Sequence, residues 1–207
     1  MDDDLLLLII SSPSGAGKTT LTRDLLEHFQ DLTFSVSHTT RKPREGEVDG
    51  RDYHFVDQAR FSELVAQGAF AEWAEVHGNL YGTALSEIER CRREGHRGLV
   101  FDVDYQGARQ IKAARDDAAG VFVLPPSLQE LRARLERRAS DDDATIERRF
   151  NNARREIENY GLFDYVIVND ELELAKEQLR SIVWAERARR FRMAKRGEAL
   201  LRRSKVG

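Results

Sequence analysis

Residues 12–19 read Ser-Pro-Ser-Gly-Ala-Gly-Lys-Thr and lie between an apolar run, residues 5–10, and a helical pattern of apolar residues over 21–29. This order predicts a strand, a tight loop and a helix. Gly15 and Gly17 let the backbone turn its N–H groups inward without a Cβ in the way, as the binding of a phosphate chain requires. The positive end of the helix dipole would lie beneath such an anion. The stretch therefore predicts a phosphate-binding loop.

Two side chains at the end of the loop carry further chemistry. Lys18 is placed to reach the terminal phosphates of a nucleotide, and Thr19 offers its hydroxyl to Mg²⁺. The spacing is that of a P-loop with one departure, because Ser12 stands where the motif has glycine. The alternative is a glycine turn that happens to contain a lysine, but the strand before it and the helix after it favour the P-loop.

Size and composition set further bounds. The 207 residues suit one domain, and a net charge of -3 gives no reason to expect a nucleic-acid partner. Cys91 is the one cysteine and has no disulfide partner, which fits a reducing cytoplasm. The apolar run 5–10 follows Met-Asp-Asp-Asp, lacks the basic flank of a signal peptide and is too short to span a bilayer. We therefore expect a buried parallel strand and no membrane partner.

The segment 35–55 reads SVSHTTRKPREGEVDGRDYHF and is rich in polar and turn residues. Arg41 and Arg44 flank a proline, and guanidinium groups suit a phosphate dianion, so a second phosphate site is predicted here. This segment closely resembles the guanylate kinase signature, and the resemblance continues to about residue 186. It implies a P-loop NTPase-type α/β fold: a parallel sheet flanked by helices, with a GMP-binding insertion of short strands and a helical lid.

The resemblance also implies a division of the chain and a reaction. The expected parts of a single domain 1–207 are a core (1–34, 84–125 and 160–190), a GMP-binding part (35–83), a lid (about 126–159) and a basic tail (185–207). The implied reaction transfers the γ-phosphoryl group of ATP to GMP with Mg²⁺ and gives ADP and GDP, with dGMP as a further acceptor. ATP is then expected at Ser12, Pro13, Ser14, Gly15, Ala16, Gly17, Lys18, Thr19 and Thr20, and its adenine near Asn169.

Glu72 lies in the mostly apolar run 70–76 and, by the resemblance, reads guanine. Guanine presents N1–H and the N2 amino group side by side, so one carboxylate can accept from both. Adenine has an acceptor at N1 and would leave the carboxylate unpaired. Without the resemblance, Glu72 would be read as a solvent-facing residue. The GMP-binding residues implied are Ser37, Arg41, Arg44, Tyr53, Glu72, Tyr81, Thr83 and Asp104.

A second strand candidate, residues 99–104, is predicted to be buried and ends in carboxylates. Ligands gather at the carboxyl ends of strands in open α/β sheets, which places Asp102 and Asp104 beside the P-loop. Asp102 resembles a Walker-B acid and would support Mg²⁺ directly or through water. The alternative is that these carboxylates cap the following helix.

Residues 134–149 contain two basic clusters separated by an acidic turn, which suggests a helical hairpin that closes over nucleotides. By the resemblance, lid arginines reach the transferring phosphoryl group. The catalytic residues implied are Lys18, Arg134, Arg138 and Arg149. The other charges in this segment are expected on solvated helix faces.

The C-terminal part is predicted to be helical. The helix from Leu172 is expected to pack Leu174 and Leu179 on the sheet. The tail 185–207 carries nine Lys or Arg against two acids. It is expected to be a solvated helix end, although RNA, an anionic surface or a second subunit in a homo-oligomer could contact it. Two other functions stay open: a guanylate-kinase-like interaction module, which typically has a degraded P-loop, and a kinase for another monophosphate.

Overall fold

The computed structural model describes residues 4–76, 78–137 and 143–203. The strands are β1 Leu6–Ser11, β2 Leu32–Phe34, β3 His38–Thr39, β4 His54–Phe55, β5 Phe70–Val76, β6 Asn79–Ala84, β7 Gly98–Asp102, β8 Ala119–Leu124 and β9 Tyr165–Val168. The helices are α1 Lys18–His28, α2 Gln58–Ala66, α3 Ser86–Arg93, α4 Tyr105–Ala114, α5 Leu128–Glu136, α6 Asp143–Ile157, α7 Leu172–Arg187 and α8 Arg190–Arg203. No helix among these residues is both long and apolar enough to cross a membrane.

Five parallel strands in the order β2-β7-β1-β8-β9 form the central sheet. Leu8 of β1 lies opposite Val100 on one side and Ala119 on the other. All six residues of β1 are buried, as expected for a middle strand covered on both faces. The prediction of a parallel sheet flanked by helices is confirmed, and the run 5–10 is its central strand.

Alternate side chains of β1 pack in opposite directions. Leu6, Leu8 and Ile10 belong to the core cluster on the side of α1 and α7. Leu7 and Ile9 belong to the cluster on the side of α3 and α4. Because successive side chains of a strand point to opposite faces, one unbroken apolar run supplies both layers of the core. This core fixes the carboxyl end of β1, where the P-loop begins.

The prediction for the first turns of α7 is wrong at one position. Leu174 is 51% exposed, and the buried face of the helix runs through Ala175, Leu179 and Val183. These three residues are four apart, so they share one face of the helix, and Leu174 lies 100° away from the first of them.

The tail is helical, but one side chain in the first turn of α8 is buried. Arg192 is 3% exposed, and its guanidinium donates hydrogen bonds to the carbonyl oxygens of Leu5 and Asp117. The expectation of a solvated helix end is therefore wrong for Arg192. It holds for Leu200 and Leu201, which are both 68% exposed.

The small sheet has the strand order β4-β3-β6-β5. β3 and β4 are parallel and only two residues long, whereas β5 and β6 form a longer antiparallel hairpin. Side chains from the core hold this sheet: Gln110 of α4 bonds both the N–H (3.2 Å) and the carbonyl (2.8 Å) of Trp73, and Glu87 of α3 accepts the N–H of Val36 (2.8 Å). These contacts set the small sheet against the carboxyl edge of the central sheet.

Helices α5 and α6 form a pair with an apolar cluster of its own, Leu131, Leu135, Ile146 and Ala153. Ser127 caps α5 and accepts the N–H of Glu130 at 3.0 Å, as its position before the helix predicts. The turn between the two helices, and with it Arg138, lies outside the described residues.

Candidate active site

The P-loop connects β1 to α1. Gly15 and Gly17 have φ values of 94° and 98°, in the left-handed region that favours glycine. Gly17 precedes α1 without any side-chain cap, so the first N–H groups of the helix stay available to an anion. The loop lines a cavity of about 310 Å³, the P-loop cavity, bounded by Ser12, Pro13, Ser14, Gly15, Gly17, Lys18, Thr19, Thr20, Asp104 and Glu156. Ala16, also predicted to bind ATP, is a fully buried residue of the loop.

Asn169 follows β9 and supports the loop from behind. It is 5% exposed, and its amide donates to the carbonyl of Ala16 at 2.7 Å. A Cβ on Gly17 would lie 2.3 Å from the same amide nitrogen, so glycine at this position is required by close approach as well as by φ. Asn169 therefore fixes the shape of the P-loop, and its expected place near adenine stays a prediction.

Lys18 forms an ion pair with Asp102 at the end of β7. Asp102 lies opposite Ile10 of β1, so adjacent strands bring the carboxylate to the loop. Thr19 and Asp102 line a further cavity of about 490 Å³ beside α1. One hydroxyl and one carboxylate thus converge next to the P-loop, as the strand order predicts.

A cavity on the other side of Lys18 lies between the small sheet and the end of β7. Its volume is about 210 Å³, and we call it the Glu72 cavity; its lining is Lys18, Ser37, Tyr53, Glu72, Ala74, Val76, Tyr81, Asp102, Val103 and Asp104. Lys18 and Asp104 line this cavity and the P-loop cavity alike. The two cavities therefore adjoin, with Lys18 between them.

Glu72 is 5% exposed, and its carboxylate lies near the hydroxyl and the backbone N–H of Thr83. Burial, assisted by the nearby charge of Asp104, raises the pKa of Glu72 from 4.5 to about 7 against the opposing effect of Thr83, which lowers it. The Thr83 hydroxyl also lies 3.0 Å from that of Ser37. The structure thus brings together four residues predicted to bind guanine.

Asp104 and Gly107 shape the wall next to Glu72. Asp104 caps α4, where its carboxylate accepts the N–H groups of Gln106 (3.0 Å) and Gly107 (2.9 Å). The capping alternative is therefore correct for Asp104, although its side chain also lines both cavities. A Cβ on Gly107 would lie 2.7 Å from Oε2 of Glu72, so the absence of a side chain there makes room for the carboxylate.

Arg41 stands beside the two predicted tyrosines. Its guanidinium lies 5.2 Å from the centre of the Tyr53 ring and near the hydroxyl of Tyr81. It also pairs with Glu47 at 2.8 Å, and this hydrogen bond raises the pKa of Arg41. Arg44 is exposed and is not among the residues lining the Glu72 cavity; its backbone N–H donates to Glu47 at 2.7 Å.

The sequence interpretation missed Glu47. This residue joins the two predicted phosphate-binding arginines through its two carboxylate oxygens. A glutamate three residues beyond Arg44 in a turn segment is an available signal, since short polar turns are often closed by side-chain bonds to backbone N–H groups.

Helix α6 reaches the P-loop with two side chains. Arg149 donates to the hydroxyl of Ser14 at 3.0 Å, and the half-buried carboxylate of Glu156 lies near the backbone N–H of Ser14. Burial raises the pKa of Glu156 from its ordinary value. Arg134, on α5, pairs with Glu130 at 2.9 Å and donates to the carbonyl of Asn169 at 3.2 Å. The sequence interpretation missed Glu156, which no local pattern distinguishes from the other charges of this helix.

Comparison with known proteins identifies the family. The sequence model of the guanylate kinase family matches residues 5–186. The guanylate kinase of Geobacter metallireducens is 51% identical over 187 residues, 90% of this chain and 92% of that protein. The guanylate kinase of Nitratidesulfovibrio vulgaris is 53% identical over 176 residues, 85% of this chain and 84% of that protein. The crystal structure of guanylate kinase from Anaplasma phagocytophilum matches with a TM-score of 0.74 at 32% identity, over 92% of this chain and 90% of that one. With its P-loop beside a buried glutamate, this chain belongs to the guanylate kinase family.

Proposed function

We propose that this chain transfers the γ-phosphoryl group of ATP to GMP and releases ADP and GDP. One observation carries the proposal: a buried carboxylate, Glu72, lies in a cavity that adjoins the P-loop cavity at Lys18. A phosphate donor on one side of Lys18 and a guanine nucleotide on the other would meet there. The division of residues 1–207 into core, GMP-binding part, lid and tail is part of the same proposal.

On the donor side, the N–H groups of the P-loop hold the phosphates of ATP, and Lys18 neutralises the terminal ones. Arg149 is at hydrogen-bonding distance of Ser14 in the loop, and Arg134 is next to Asn169 behind it. Both guanidinium groups are therefore within a short movement of the transferring group. Arg138 is assigned the same role by the family resemblance alone.

Mg²⁺ fits the residues at this edge of the sheet. Thr19 and Asp102 line one cavity and offer oxygen atoms, which Mg²⁺ prefers. The described residues contain no cluster of three or more metal-binding side chains, but Mg²⁺ in kinases needs only one or two protein oxygens in addition to the phosphates. We assign Thr19 and Asp102 as these ligands, Asp102 directly or through water. When bound, the ion neutralises charge that develops on the phosphate oxygens.

On the acceptor side, Glu72 accepts from the N1–H and N2 amino groups of guanine. Ser37, Thr83 and Asp104 border the same position and complete the recognition of the base. Arg41, Arg44, Tyr53 and Tyr81 hold the GMP phosphate. The guanidinium of Arg41 already pairs with the carboxylate of Glu47. To hold the GMP phosphate, Arg41 must then either release Glu47 or bind the carboxylate and the phosphate together.

The reaction requires the protein to position the two nucleotides and to neutralise their charge, and it does not require the protein to transfer a proton. The phosphate of GMP is an anion at neutral pH and attacks without a general base. Lys18 lies between the two cavities and can neutralise charge on both nucleotides. Its pairing with Asp102 keeps the ammonium at that point. The in-line geometry of transfer therefore depends on how firmly each cavity is placed relative to Lys18.

Two other functions are less well supported. A guanylate-kinase-like interaction module would not require the P-loop, which here has both left-handed glycines, Lys18 and Thr19 in place. A kinase for AMP would leave the buried Glu72 facing an acceptor nitrogen, which is unfavourable. dGMP as a further acceptor, a cytoplasmic location and a homo-oligomer stay predictions.

The test is a coupled assay of ADP formation from ATP with GMP, dGMP, AMP, CMP or UMP as acceptor. We expect turnover with GMP and none with AMP, CMP or UMP. Lys18→Ala should abolish turnover while GMP still binds, because Lys18 acts on the phosphates and not on the base. A folded protein that binds GMP and gives no turnover would favour the interaction module. Equal turnover with AMP would overturn the role of Glu72.

A further inference from the structure

Gln110 of helix α4 takes the place of a strand along the outer edge of β5. β5 is an edge strand of the small sheet, with β6 as its strand neighbour. On the other edge, the side chain of Gln110 accepts the N–H of Trp73 at 3.2 Å and donates to its carbonyl oxygen at 2.8 Å. A primary amide carries both a donor and an acceptor, as a peptide group does. Gln110 therefore fixes the backbone of the residue that follows Glu72.

The backbone of β5 is irregular at the point where it presents Glu72. Phe70 lies opposite Ala84 and Glu72 lies opposite Thr83, so two steps along β5 correspond to one step along β6, and Ala71 is an extra residue. A bulge of this kind bends the strand and re-aims the side chains beside it. Because the bulge interrupts the pairing with β6 next to Glu72, a contact on the other edge of β5 is needed to fix the direction of this side chain.

Helix α4 contacts two consecutive residues of β5 from one face. Gly107 and Gln110 are three residues apart, so they lie on the same face of the helix. A Cβ on Gly107 would lie 2.7 Å from Oε2 of Glu72, and Gln110 holds the next residue, Trp73. The side chain of Trp73 is 41% exposed, so this residue is held mainly through its backbone. α4 therefore sets both the room for the Glu72 carboxylate and the place of the strand that carries it.

The neighbouring face of α4 belongs to the core. Ala108 and Ile111, which follow Gly107 and Gln110 directly, are buried in the core cluster that also contains Leu7 and Ile9 of β1. β1 ends at the P-loop. Gln110 thus ties the strand of Glu72 to the part of the core that positions the P-loop, in addition to its place in the small sheet.

We propose that Gln110 is a positioning residue for base recognition: through the backbone of Trp73 it holds the Glu72 carboxylate where N1–H and the N2 amino group of guanine can both donate to it. The proposal rests on the proposed function, in which guanine is the base that Glu72 binds. Two parallel hydrogen bonds require a more accurate placement of the carboxylate than one, because each weakens steeply when donor and acceptor are out of line. A displaced carboxylate keeps one bond and loses the other, so the affinity for GMP should fall toward that for a nucleotide without the N2 amino group.

The experiment compares the binding of GMP and of inosine monophosphate to the full chain by titration calorimetry. Hypoxanthine, the base of inosine monophosphate, has N1–H but no N2 amino group. Gln110→Met keeps the length of the side chain and removes both hydrogen bonds to Trp73. The preference for GMP over inosine monophosphate should shrink about fivefold in this variant, the value of one hydrogen bond, and a non-hydrolysable ATP analogue should bind as it does to the wild type. Arg109→Met is the matched control, since Arg109 is exposed beside Gln110 on α4.

A residue that only stabilises the small sheet would give a different result. The urea midpoint of Gln110→Met would fall while the preference for GMP over inosine monophosphate stayed that of the wild type, and this overturns the proposal. A loss of affinity for the ATP analogue equal to that for GMP overturns it as well. A wild type that binds GMP and inosine monophosphate alike is a distinct outcome, because it removes Glu72 from base recognition and overturns that part of the proposed function too.

A second measurement needs no variant. Amide hydrogen exchange in the wild type should be slow at Trp73, because its N–H is bonded to Gln110. Glu75 lies two residues further along β5 and presents its N–H at the same edge, so it provides the comparison and should exchange faster. Equally fast exchange at both positions overturns the proposal even if Gln110→Met does not fold.

Discussion

β1 delivers the P-loop from a strand whose six residues are all buried, whereas β3 delivers Arg41 from a strand of two residues. β1 pairs over four or more residues with a neighbour on each side. β3 also has two neighbours, but it pairs with each over only two residues. Backbone in long, buried pairings opens less readily than backbone in short, half-buried ones. The ATP side of the site is therefore positioned by the core, and the GMP side by individual side-chain contacts.

These side-chain contacts are few and can be named. Gln110 holds both backbone groups of Trp73, and Glu87 holds the N–H of Val36. Glu47 joins Arg41 to the backbone of Arg44. Each of them joins a segment of the small sheet or its loop to a neighbour by hydrogen bonds rather than by apolar packing. Substitutions on the two sides should then differ in kind: on the GMP side they change affinity, and on the ATP side they change the fold of the loop as well.

The largest effect is expected from Glu72→Gln on the GMP side. Glutamine presents an N–H₂ group to the N–H groups of guanine and cannot accept from both, so kcat/KM for GMP should fall by about 10⁴-fold. KM for ATP should not change, because the core positions the P-loop independently. The measurement is steady-state kinetics with each substrate varied. Glu75→Gln, an exposed glutamate on the same strand, is the control and should behave as the wild type. A Gln variant that prefers GMP over AMP as strongly as the wild type would remove Glu72 from base recognition.

Gly17→Ala tests the ATP side and should lower both the activity and the stability of the protein. The added Cβ would meet Asn169 at 2.3 Å at a φ of 98°, so the loop must shift, and kcat should fall by about 10²-fold. The strained backbone should lower the free energy of unfolding by about 1–3 kcal/mol. Urea unfolding and kinetics of the same preparation check both. Gly68→Ala separates the causes: its φ is 63° and an added Cβ meets no atom within 4 Å, so it should lose some stability and no activity.

The sequence was most informative where the pattern is local. The run 5–10 and the spacing of Gly15, Gly17 and Lys18 predict β1, the P-loop and their order, because strand, turn and helix dipole are all consequences of adjacent residues. The family resemblance supplied Glu72 and the residues around it. Leu174 shows the limit of periodicity, since a helix with apolar residues on neighbouring faces does not state which face meets the sheet.

The residues that could not be predicted act across long distances in the chain. Glu156 meets Ser14, and Gly107 makes room for Glu72; in each pair the partners are far apart in sequence, and neither Glu156 nor Gly107 stands out among its neighbours. A glutamate in a charged helix and a glycine in the first turn of α4 have ordinary explanations from local sequence. The positions of Glu156 and Gly107 at the site follow only from the packing of α6 and α4 against it.

Gly107→Ala sharpens the comparison because it changes the GMP side without replacing any residue predicted to bind a nucleotide. The new Cβ would lie 2.7 Å from Oε2 of Glu72 and should push the carboxylate away from guanine. We expect KM for GMP to rise about tenfold, the cost of a weakened hydrogen bond, with KM for ATP unchanged. Gly161→Ala is the control, since an added Cβ there meets no atom within 4 Å. A rise in both KM values would show instead that α4 positions the P-loop too.

Because Glu72 is buried, kcat/KM for GMP should depend on pH. Burial raises its pKa to about 7 in the unliganded protein, so near neutrality a large part of the carboxyl is protonated. A protonated carboxyl has one O–H donor in place of an acceptor and cannot receive both N–H groups of guanine. GMP binding must then release the proton, and kcat/KM for GMP should fall by about fivefold to tenfold between pH 8 and pH 6. KM for ATP, measured in parallel, should vary less over this range, because Glu72 belongs to the GMP side. An equal pH dependence for both substrates would mean that the two sides of the site are not positioned independently.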